Sequence, residues 1–105
     1  MIKKLGSKVL KKVDDSKAFW IKTDHYNVID RARGLEDLGK KLKKAPTAAI
    51  GHHMREGRND FANWIGAVLG DKVLAKELKS LKAKNWDQMQ HRVIEEIEKR
   101  IKELK

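Results

Sequence analysis

The chain contains no cysteine among its 105 residues. This absence excludes disulfide bonds, thiolate nucleophiles and zinc sites built on cysteine. Long apolar runs are missing too: nowhere do about 18 apolar residues occur together, and the segment "MIKKLGSKVLKKV" lacks the apolar stretch of a signal peptide. We therefore expect a cytoplasmic protein with no membrane partner.

Acidic residues are few relative to basic ones, and the formal net charge is +10. Residues 1–58 contain 15 Lys and Arg against 7 Asp and Glu, whereas residues 59–105 contain 10 against 8. Such an excess favours a polyanionic partner, because cations that neutralise phosphates release condensed counterions. RNA, DNA and anionic membranes all carry this charge. Plentiful Lys and Glu with few Asn and Gln are also typical of hyperthermophile proteins.

The length suits one compact domain with a terminal extension. Residues 1–17 begin with five lysines and no acid before position 14, which predicts a basic N-terminal arm. An arm of this kind either stays solvated and partly disordered or becomes ordered on a polyanion. Residues 18–105 are then predicted to form a single domain.

A β-hairpin is predicted where "AFWIK" is followed by the polar "TDHYN" and then by "VIDRARG". Alternation along the first strand directs Phe19 and Ile21 to the core and Trp20 outward. Outward, Trp20 can stack on a base, and the alternative is that it packs beneath a helix. Arg31 and Arg33 fall on one face of the second strand and are predicted to form a paired phosphate contact.

The segment "LEDLGKKLKK" predicts a helix that ends before Pro46 and directs its three leucines inward. Its last turns carry Lys40, Lys41, Lys43 and Lys44. Two of these lysines suit the negative end of the helix dipole. Four exceed what a helix end requires, so this cluster also predicts a surface that faces an anion.

Three further helices are predicted from their apolar spacing and their end signals. "FANWIGAVL" follows the i, i+3, i+4, i+7 pattern, Gly70 suits its C-terminal end, and Asp71 suits the N-cap of the next helix. A capping box that begins at Asn85 opens the last helix. Together with a helix that starts near Thr47, these make an α+β fold, predominantly helical, with one short hairpin and about five helices after it.

Apolar spacing directs Val73 of "KVLAKELKSLK" and Trp86 of the last helix toward the core. On the opposite side of the former helix lie Lys72, Lys76 and Lys79, which we interpret first as a solvated face and second as a binding stripe. We interpret the last helix as part of the structural core, and it could also pack on a partner protein.

The stretch "GHHMREGRND" combines two histidines with two arginines, yet it does not predict catalysis. No serine lies in a nucleophile elbow, no glycine-rich phosphate loop is present, and His52 and His53 point about 100° apart on a helix. We therefore expect no enzyme, cofactor, metal or small-molecule substrate. His53 is predicted to hydrogen-bond near the start of the helix at Asn59. His52, Arg55 and Arg58 face outward, where they can contact phosphate.

These segments resemble a small archaeal domain family of unassigned activity. The resemblance is carried by His53, "RNDFANWI" at 58–65, "LGDKVLAKEL" at 69–78, the "FWI" strand and the "LEDLGKKL" helix, and it spans about residues 19–81. It implies a short hairpin followed by helices, with the histidine and the Asn-Asp-Phe segment at a helix junction. Family members look less basic, so the lysine-rich arm and the lysines at 40–44 suggest adaptation to a polyanion.

The leading hypothesis is an RNA-binding accessory or structural protein of the archaeal ribosome that contacts rRNA phosphates, with neighbouring ribosomal proteins as further partners. The alternatives are a protein-interaction module that uses the last helix, and a double-stranded DNA-binding protein. The predicted RNA-binding residues are Lys3, Lys4, Lys8, Lys11, Lys12, Trp20, Arg31, Arg33, Lys40, Lys41, Lys43, Lys44, His52, Arg55 and Arg58.

Overall fold

A computed structural model describes the backbone of residues 2–105 and the side chains of residues 6–105. The fold is α+β and mainly helical, and five helices follow one hairpin, as the sequence predicts. The elements are α1 (Ile2–Val9), β1 (Phe19–Asp24), β2 (Asn27–Ala32), α2 (Leu35–Lys44), α3 (Thr47–Met54), α4 (Asp60–Trp64), α5 (Lys72–Lys79) and α6 (Trp86–Leu104). None of the helices within residues 2–105 is long and apolar enough to cross a membrane.

The hairpin is antiparallel and pairs Trp20 with Arg31. Its turn is closed by Asp24, whose carboxylate accepts the backbone N–H groups of Tyr26 and Asn27 at 2.8 and 3.0 Å. Along β1, Phe19 and Ile21 are buried and Trp20 is exposed, so the predicted alternation is confirmed. The inner face of β1 packs on α3, and this places the hairpin beside the end of that helix.

The described part of the N-terminal segment is packed on the domain. Helix α1 lies against α6, Val9 is fully buried, and a Cβ at Gly6 would collide with the backbone carbonyl of Leu104. Beyond the helix, the N–H of Val13 donates to the carbonyl of Arg33 at 2.7 Å. Val9 of the segment predicted as an arm is thus part of the core, while Lys8, Lys11 and Lys12 are exposed.

Helix α6 is the central element, since α1, α2, α3 and α5 all pack against it. Its buried side chains include Met89, Val93, Ile97 and Leu104. Most of the apolar face of the last helix therefore packs against the domain's own helices.

The predicted helix ends are confirmed. Asn59 caps α4 by accepting the N–H of Ala62 at 3.0 Å, and Asn85 caps α6 by accepting the N–H of Gln88 at 2.8 Å. Helix α4 continues as one π-helical turn, Ile65–Leu69, and ends at Gly70 in the left-handed conformation with φ of 78°, which glycine adopts without steric cost. The π-helical turn was not predicted.

The prediction that Val73 and Trp86 point toward the core is wrong. Val73 is 53% exposed and Trp86 is 40% exposed. Leu74, Ala75 and Leu78 form the buried side of α5, and at about 100° per residue Val73 falls on its outer side. Trp86 is the first residue of α6, where no preceding turn covers it.

A buried ion pair joins α5 to α6. The guanidinium of Arg100 donates to both carboxylate oxygens of Asp71, from Nε at 2.8 Å and from Nη2 at 3.1 Å. The Asp71 side chain is 1% exposed, and it also accepts the N–H of Leu74 at 3.2 Å as the predicted N-cap of α5. One carboxylate thus fixes both the start of α5 and its contact with α6.

Candidate nucleic-acid interface

The α3–α4 junction is formed by a 3₁₀ turn, Arg55–Gly57, between the two helices. Glu56 and Gly57 are both left-handed, with φ of 59° and 75°. This pair redirects the chain so that Asn59 can begin α4. The exposed side chains of Arg55 and Arg58 therefore project from a short, tightly turned segment.

His53 joins three elements at this junction. Its Nδ1 lies 2.9 Å from Oδ2 of Asp60, the first residue of α4, and its Nε2 accepts the N–H of Lys22 in β1 at 3.0 Å. Because Nε2 accepts, the ring proton is assigned to Nδ1, which donates to the carboxylate. The predicted hydrogen bond to the start of α4 is thereby confirmed, and the contact with β1 is an addition that the sequence did not predict.

His53 is held neutral. Burial lowers its pKa, while the hydrogen bond and the charge of Asp60 act in the opposite direction. The ring is 4% exposed and packs against Phe19 and Phe61 at centroid distances of 4.8 and 5.3 Å. Protonation would also cost the bond from Lys22, since Nε2 could no longer accept. His53 therefore acts as a structural connection between β1, α3 and α4.

Cations surround the neighbouring His52. Burial lowers the pKa of His52, and the charges of Arg55 and Arg58 and, more weakly, Lys22 lower it further, against the opposing charge of Asp60. The guanidinium of Arg58 donates to the carbonyl oxygen of His52. His52 is thus neutral near pH 7, and the positive potential at the junction comes from the two arginines and Lys22.

Asp60 is already engaged within the junction. Its Oδ2 accepts from His53, and its Oδ1 lies 3.5 Å from Nε of Arg58. Among the side chains of residues 6–105, neither Arg55 nor Lys22 lies within ion-pair distance of a carboxylate. Glu56 of the same turn is exposed and offsets part of this charge, so Lys22, Arg55 and Arg58 exceed Glu56 and Asp60 by one positive charge.

Relative to a His52→Gln variant, the wild-type protein is expected to lose stability as the pH falls from about 7 to about 5. The folded state holds the pKa of His52 below its ordinary value, so the unfolded chain binds the proton more readily, and protonation favours unfolding. The contribution of His52 to the free energy of unfolding is complete above about pH 6.5, the ordinary pKa of histidine. It decreases as the pH falls toward the lower pKa of the folded state. Urea unfolding of both proteins across this range measures the effect.

The difference in unfolding free energy between the two proteins is used because Glu77 changes stability with pH in the opposite direction to His52. Burial raises the pKa of Glu77, and its neighbour Glu96 raises it further through a hydrogen bond and like charge. Both proteins retain this pair, so its contribution cancels. An unfolding free-energy difference that does not change with pH would contradict the lowered pKa of His52.

Arg31 and Arg33, predicted as a paired phosphate contact, converge on Asp15 instead. The guanidinium nitrogens lie 3.3 and 3.6 Å from its carboxylate. Strand β2 ends at Ala32, so Arg33 lies just beyond it, and its Nε also donates to the carbonyl of Val13 at 2.9 Å. Asp15 thus offsets part of the charge on this side of the hairpin.

Trp20 occupies the outer face of the hairpin and is 43% exposed. The guanidinium carbon of Arg31 lies 5.8 Å from the centre of its ring. This is within the range of a cation–π contact. The ring therefore already has an intramolecular partner on the surface where the sequence predicts base stacking.

The four lysines of α2 do not form one surface. Lys41 faces the hairpin, 3.3 and 3.4 Å from the carboxylates of Asp30 and Asp37. Lys40 and Lys43 line a depression between α2 and α6, where Lys43 pairs with Glu98 at 2.6 Å. Lys44 is exposed at the helix end. Lys41 is thus turned toward the acids of the hairpin, whereas Lys40, Lys43 and Lys44 have the i, i+3, i+4 spacing of one helix face.

Lys8 and Lys12 of the N-terminal segment lie beside different parts of the domain. The side chain of Lys8 passes close to Gly70, and that of Lys12 passes close to Gly34, next to the backbone of Lys11. All three are exposed. The side chains of Lys3 and Lys4 lie outside the described residues.

Comparison with known proteins supplies the family. A family model described as a family of unknown function, DUF5752, matches residues 16–105. The chain belongs to the DUF5752 family. This agrees with the resemblance to a family of unassigned activity, and the matched region includes the hairpin and the α3–α4 junction. No curated protein and no solved structure matched the chain.

Within the described part of this DUF5752 chain, no three His, Asp or Glu side chains are grouped to hold a metal ion. The rings of His52 and His53 are 5.0 Å apart and inclined by 75°. Both nitrogens of His53 are already used in hydrogen bonds. The two histidines therefore do not form a ligand pair.

Sequence reasoning missed one member of the junction of this DUF5752 domain. Lys22 comes next to His52, Arg55 and Arg58 only because β1 packs on α3, and its backbone contact with His53 spans 31 positions of the chain. The available signal was the alternation of β1, which places Lys22 on the same face as Trp20. The structure thus unites three predicted residues with one unpredicted lysine.

Proposed function

We propose that this DUF5752 protein binds RNA through the phosphate backbone, with the α3–α4 junction and Lys22 as the main contact surface. The observation that carries the proposal is the cluster of Lys22, Arg55 and Arg58 around His52. Of the two acids in this segment, Asp60 is engaged by His53 and Arg58, and Glu56 is exposed in the turn. Arginine suits this role because its planar guanidinium can donate two hydrogen bonds to one phosphate.

Exposed aromatic side chains favour RNA over double-stranded DNA as the polyanion. Tyr26 and Trp86 are 92% and 40% exposed, whereas the ring of Trp20 already has the guanidinium of Arg31 over it. Unpaired bases in RNA loops and single strands can stack on such rings, whereas the bases of a duplex are already stacked on each other. A contact surface that combines cations with aromatic rings therefore suits RNA that is at least partly unpaired.

The proposed setting is the ribosome, where this protein serves as an accessory or structural component. Ribosomal RNA presents closely spaced phosphates, and base identity is secondary for a protein that neutralises them. Further exposed lysines on other faces, Lys8, Lys11, Lys12, Lys40 and Lys44, would then contact neighbouring RNA segments. Co-sedimentation of the untagged protein with ribosomal subunits across a salt series tests this setting, and loss of the protein from subunits at every salt concentration would exclude it.

RNA binding itself is tested by fluorescence anisotropy with a labelled, partly unpaired RNA across a salt series. Three phosphate contacts predict that log K falls with log salt with a slope of about −2 to −3, or steeper if outer lysines add contacts. An unlabelled DNA duplex is expected to compete more weakly than the same RNA. Binding that does not change with salt, or stronger competition by duplex DNA, would contradict the proposal.

A further inference from the structure

A pocket of about 510 Å³ lies on the other side of Arg58, between the α3–α4 junction and the start of α6. Its size is within the range of pockets that hold small organic ligands. The lining includes Arg58, Asn63 of α4, Lys79 of α5, and Trp86 and Met89 of α6. Cationic, amide and aromatic side chains thus meet around one opening.

Trp86 is held at this pocket by its edge. A Cβ at Gly51 in α3 would lie 3.1 Å from Nε1 and 3.2 Å from Cδ1 of the indole. Glycine at position 51 therefore lets the ring rest directly against α3. With 40% of the residue exposed, the remaining ring surface is open to the pocket, and a planar group can stack there.

The polar side chains that line the pocket differ in whether they already form hydrogen bonds or ion pairs within the protein. Asn59 is committed, since it caps α4 and its Nδ2 donates to the carbonyl of Leu78 at 3.2 Å. Asn63 is exposed, and among the described residues its side chain has no hydrogen-bond partner. Lys79 is likewise outside every ion pair of residues 6–105. One amide and one ammonium are thus available to a ligand.

We infer that this pocket takes one unpaired nucleotide of single-stranded RNA, with its base against Trp86 and its phosphate at Arg58 and Lys79. The inference rests on the proposed RNA binding and adds the kind of strand that is bound. Proteins that bind single strands combine an aromatic stacking surface with a cationic groove. The amide of Asn63 can donate to and accept from a base edge.

A neighbouring groove of about 560 Å³ between α4 and α5 continues this path. It shares Asn63 and Lys79 with the pocket. Small side chains form its floor, so a strand can approach the helices closely, and lysines of α5 form its rim. The floor is Ala62, Gly66, Ala67 and Ala75, and the rim is Lys72, Lys76 and Lys79. In this inference the lysine face of α5 supplies further phosphate contacts on one side of the bound nucleotide.

The test compares Trp86→Ala with Trp20→Ala for binding of a short uridine oligomer and of an RNA duplex. Trp86→Ala is expected to weaken binding of the oligomer about tenfold, the effect of losing one stacked base, while the salt slope and duplex affinity stay unchanged. Trp20→Ala, a matched loss of a half-exposed tryptophan, is expected to change oligomer affinity less than twofold because the guanidinium of Arg31 already lies over that ring. Anisotropy across a salt series measures all four combinations.

Two further variants keep the test decisive if Trp86→Ala disturbs the fold. Trp86→Phe is expected to retain most of the oligomer affinity, and Lys79→Gln is expected to reduce the salt slope for the oligomer by about 0.7, one phosphate contact on a single strand. Equal effects of the Trp86 and Trp20 substitutions, or no effect of Lys79→Gln, would overturn the assignment of the pocket.

If the wild type binds neither RNA, the proposed function fails together with the pocket. If the wild type binds RNA with the expected salt slope but the Trp86 and Lys79 variants bind as the wild type does, only the assignment of the pocket is wrong.

Discussion

Replacing Lys22, Arg55 and Arg58 together with glutamine is expected to weaken RNA binding by roughly a hundredfold or more near 0.1 M salt. Each phosphate contact on duplex-like RNA contributes about 0.9 to the salt slope, which corresponds to nearly tenfold in affinity at that concentration. The charges of all three side chains act on His52, so we expect one RNA segment at the junction to contact them. Anisotropy with the labelled RNA measures the loss.

A matched variant separates local contact from net charge. Lys82, Lys99 and Lys102 are exposed, and replacing them with glutamine removes the same three positive charges at other faces. This control is expected to weaken binding by only a few fold, through the long-range field that salt screens. Equal losses in the two triple variants would show that binding follows net charge, and the junction would lose its assigned role.

Arg100→Met is expected to lower the free energy of unfolding by about 4 kcal/mol. The substitution removes two charge-assisted hydrogen bonds at 2.8 and 3.1 Å and leaves the carboxylate of Asp71, 1% exposed, without its cation. A buried charge that loses its partner typically costs 3 to 5 kcal/mol, a large part of the roughly 5 to 15 kcal/mol that holds a domain folded. Urea unfolding near pH 7 measures the change.

Two comparisons identify the cause of that loss. Lys99→Met, at the adjacent exposed position of α6, is expected to change stability by less than about 0.5 kcal/mol. Adding Asp71→Asn to Arg100→Met removes the isolated charge while the amide oxygen can still cap α5, so about half of the lost stability should return. A cost below about 1 kcal/mol for Arg100→Met alone would contradict the structural role of the pair.

Local features of the fold could be predicted because their causes lie within a few positions of the chain. The ends of α4 and α5 depend on Asn59, Gly70 and Asp71, each of which acts on backbone groups no more than a turn away. The buried face of α4 follows from helical spacing alone. The hydrogen bond between His53 and Asp60 also belongs to this class, since it joins neighbouring helix ends.

Contacts between distant segments could not be predicted in the same way. Asp15 reaches Arg31 and Arg33 because a 3₁₀ turn, Asp15–Lys17, precedes β1, and no spacing rule connects an acid to arginines 16 and 18 positions later. Lys22 joins the α3–α4 junction only through the packing of β1. For these residues the sequence indicates the charge, and the tertiary fold decides which charges meet.

The partial cancellation of the basic first half is the main change that the structure brings to the candidate site. Side chains predicted to act together are divided among the hairpin, α1, α2 and the junction. At the hairpin and on α2, acids lie within 4 Å of several of them. The two arginines of the junction and Lys22 keep a net positive charge beside Glu56 and Asp60.

The central claim is most directly tested by titrating the ¹⁵N-labelled protein with the partly unpaired RNA and following the backbone amide resonances. We expect the largest shifts at residues 52–58 and at Lys22, with smaller shifts along α5. Shifts confined to α1 and α2, or no shifts at protein and RNA concentrations where anisotropy detects binding, would contradict the α3–α4 junction as the RNA-contacting surface.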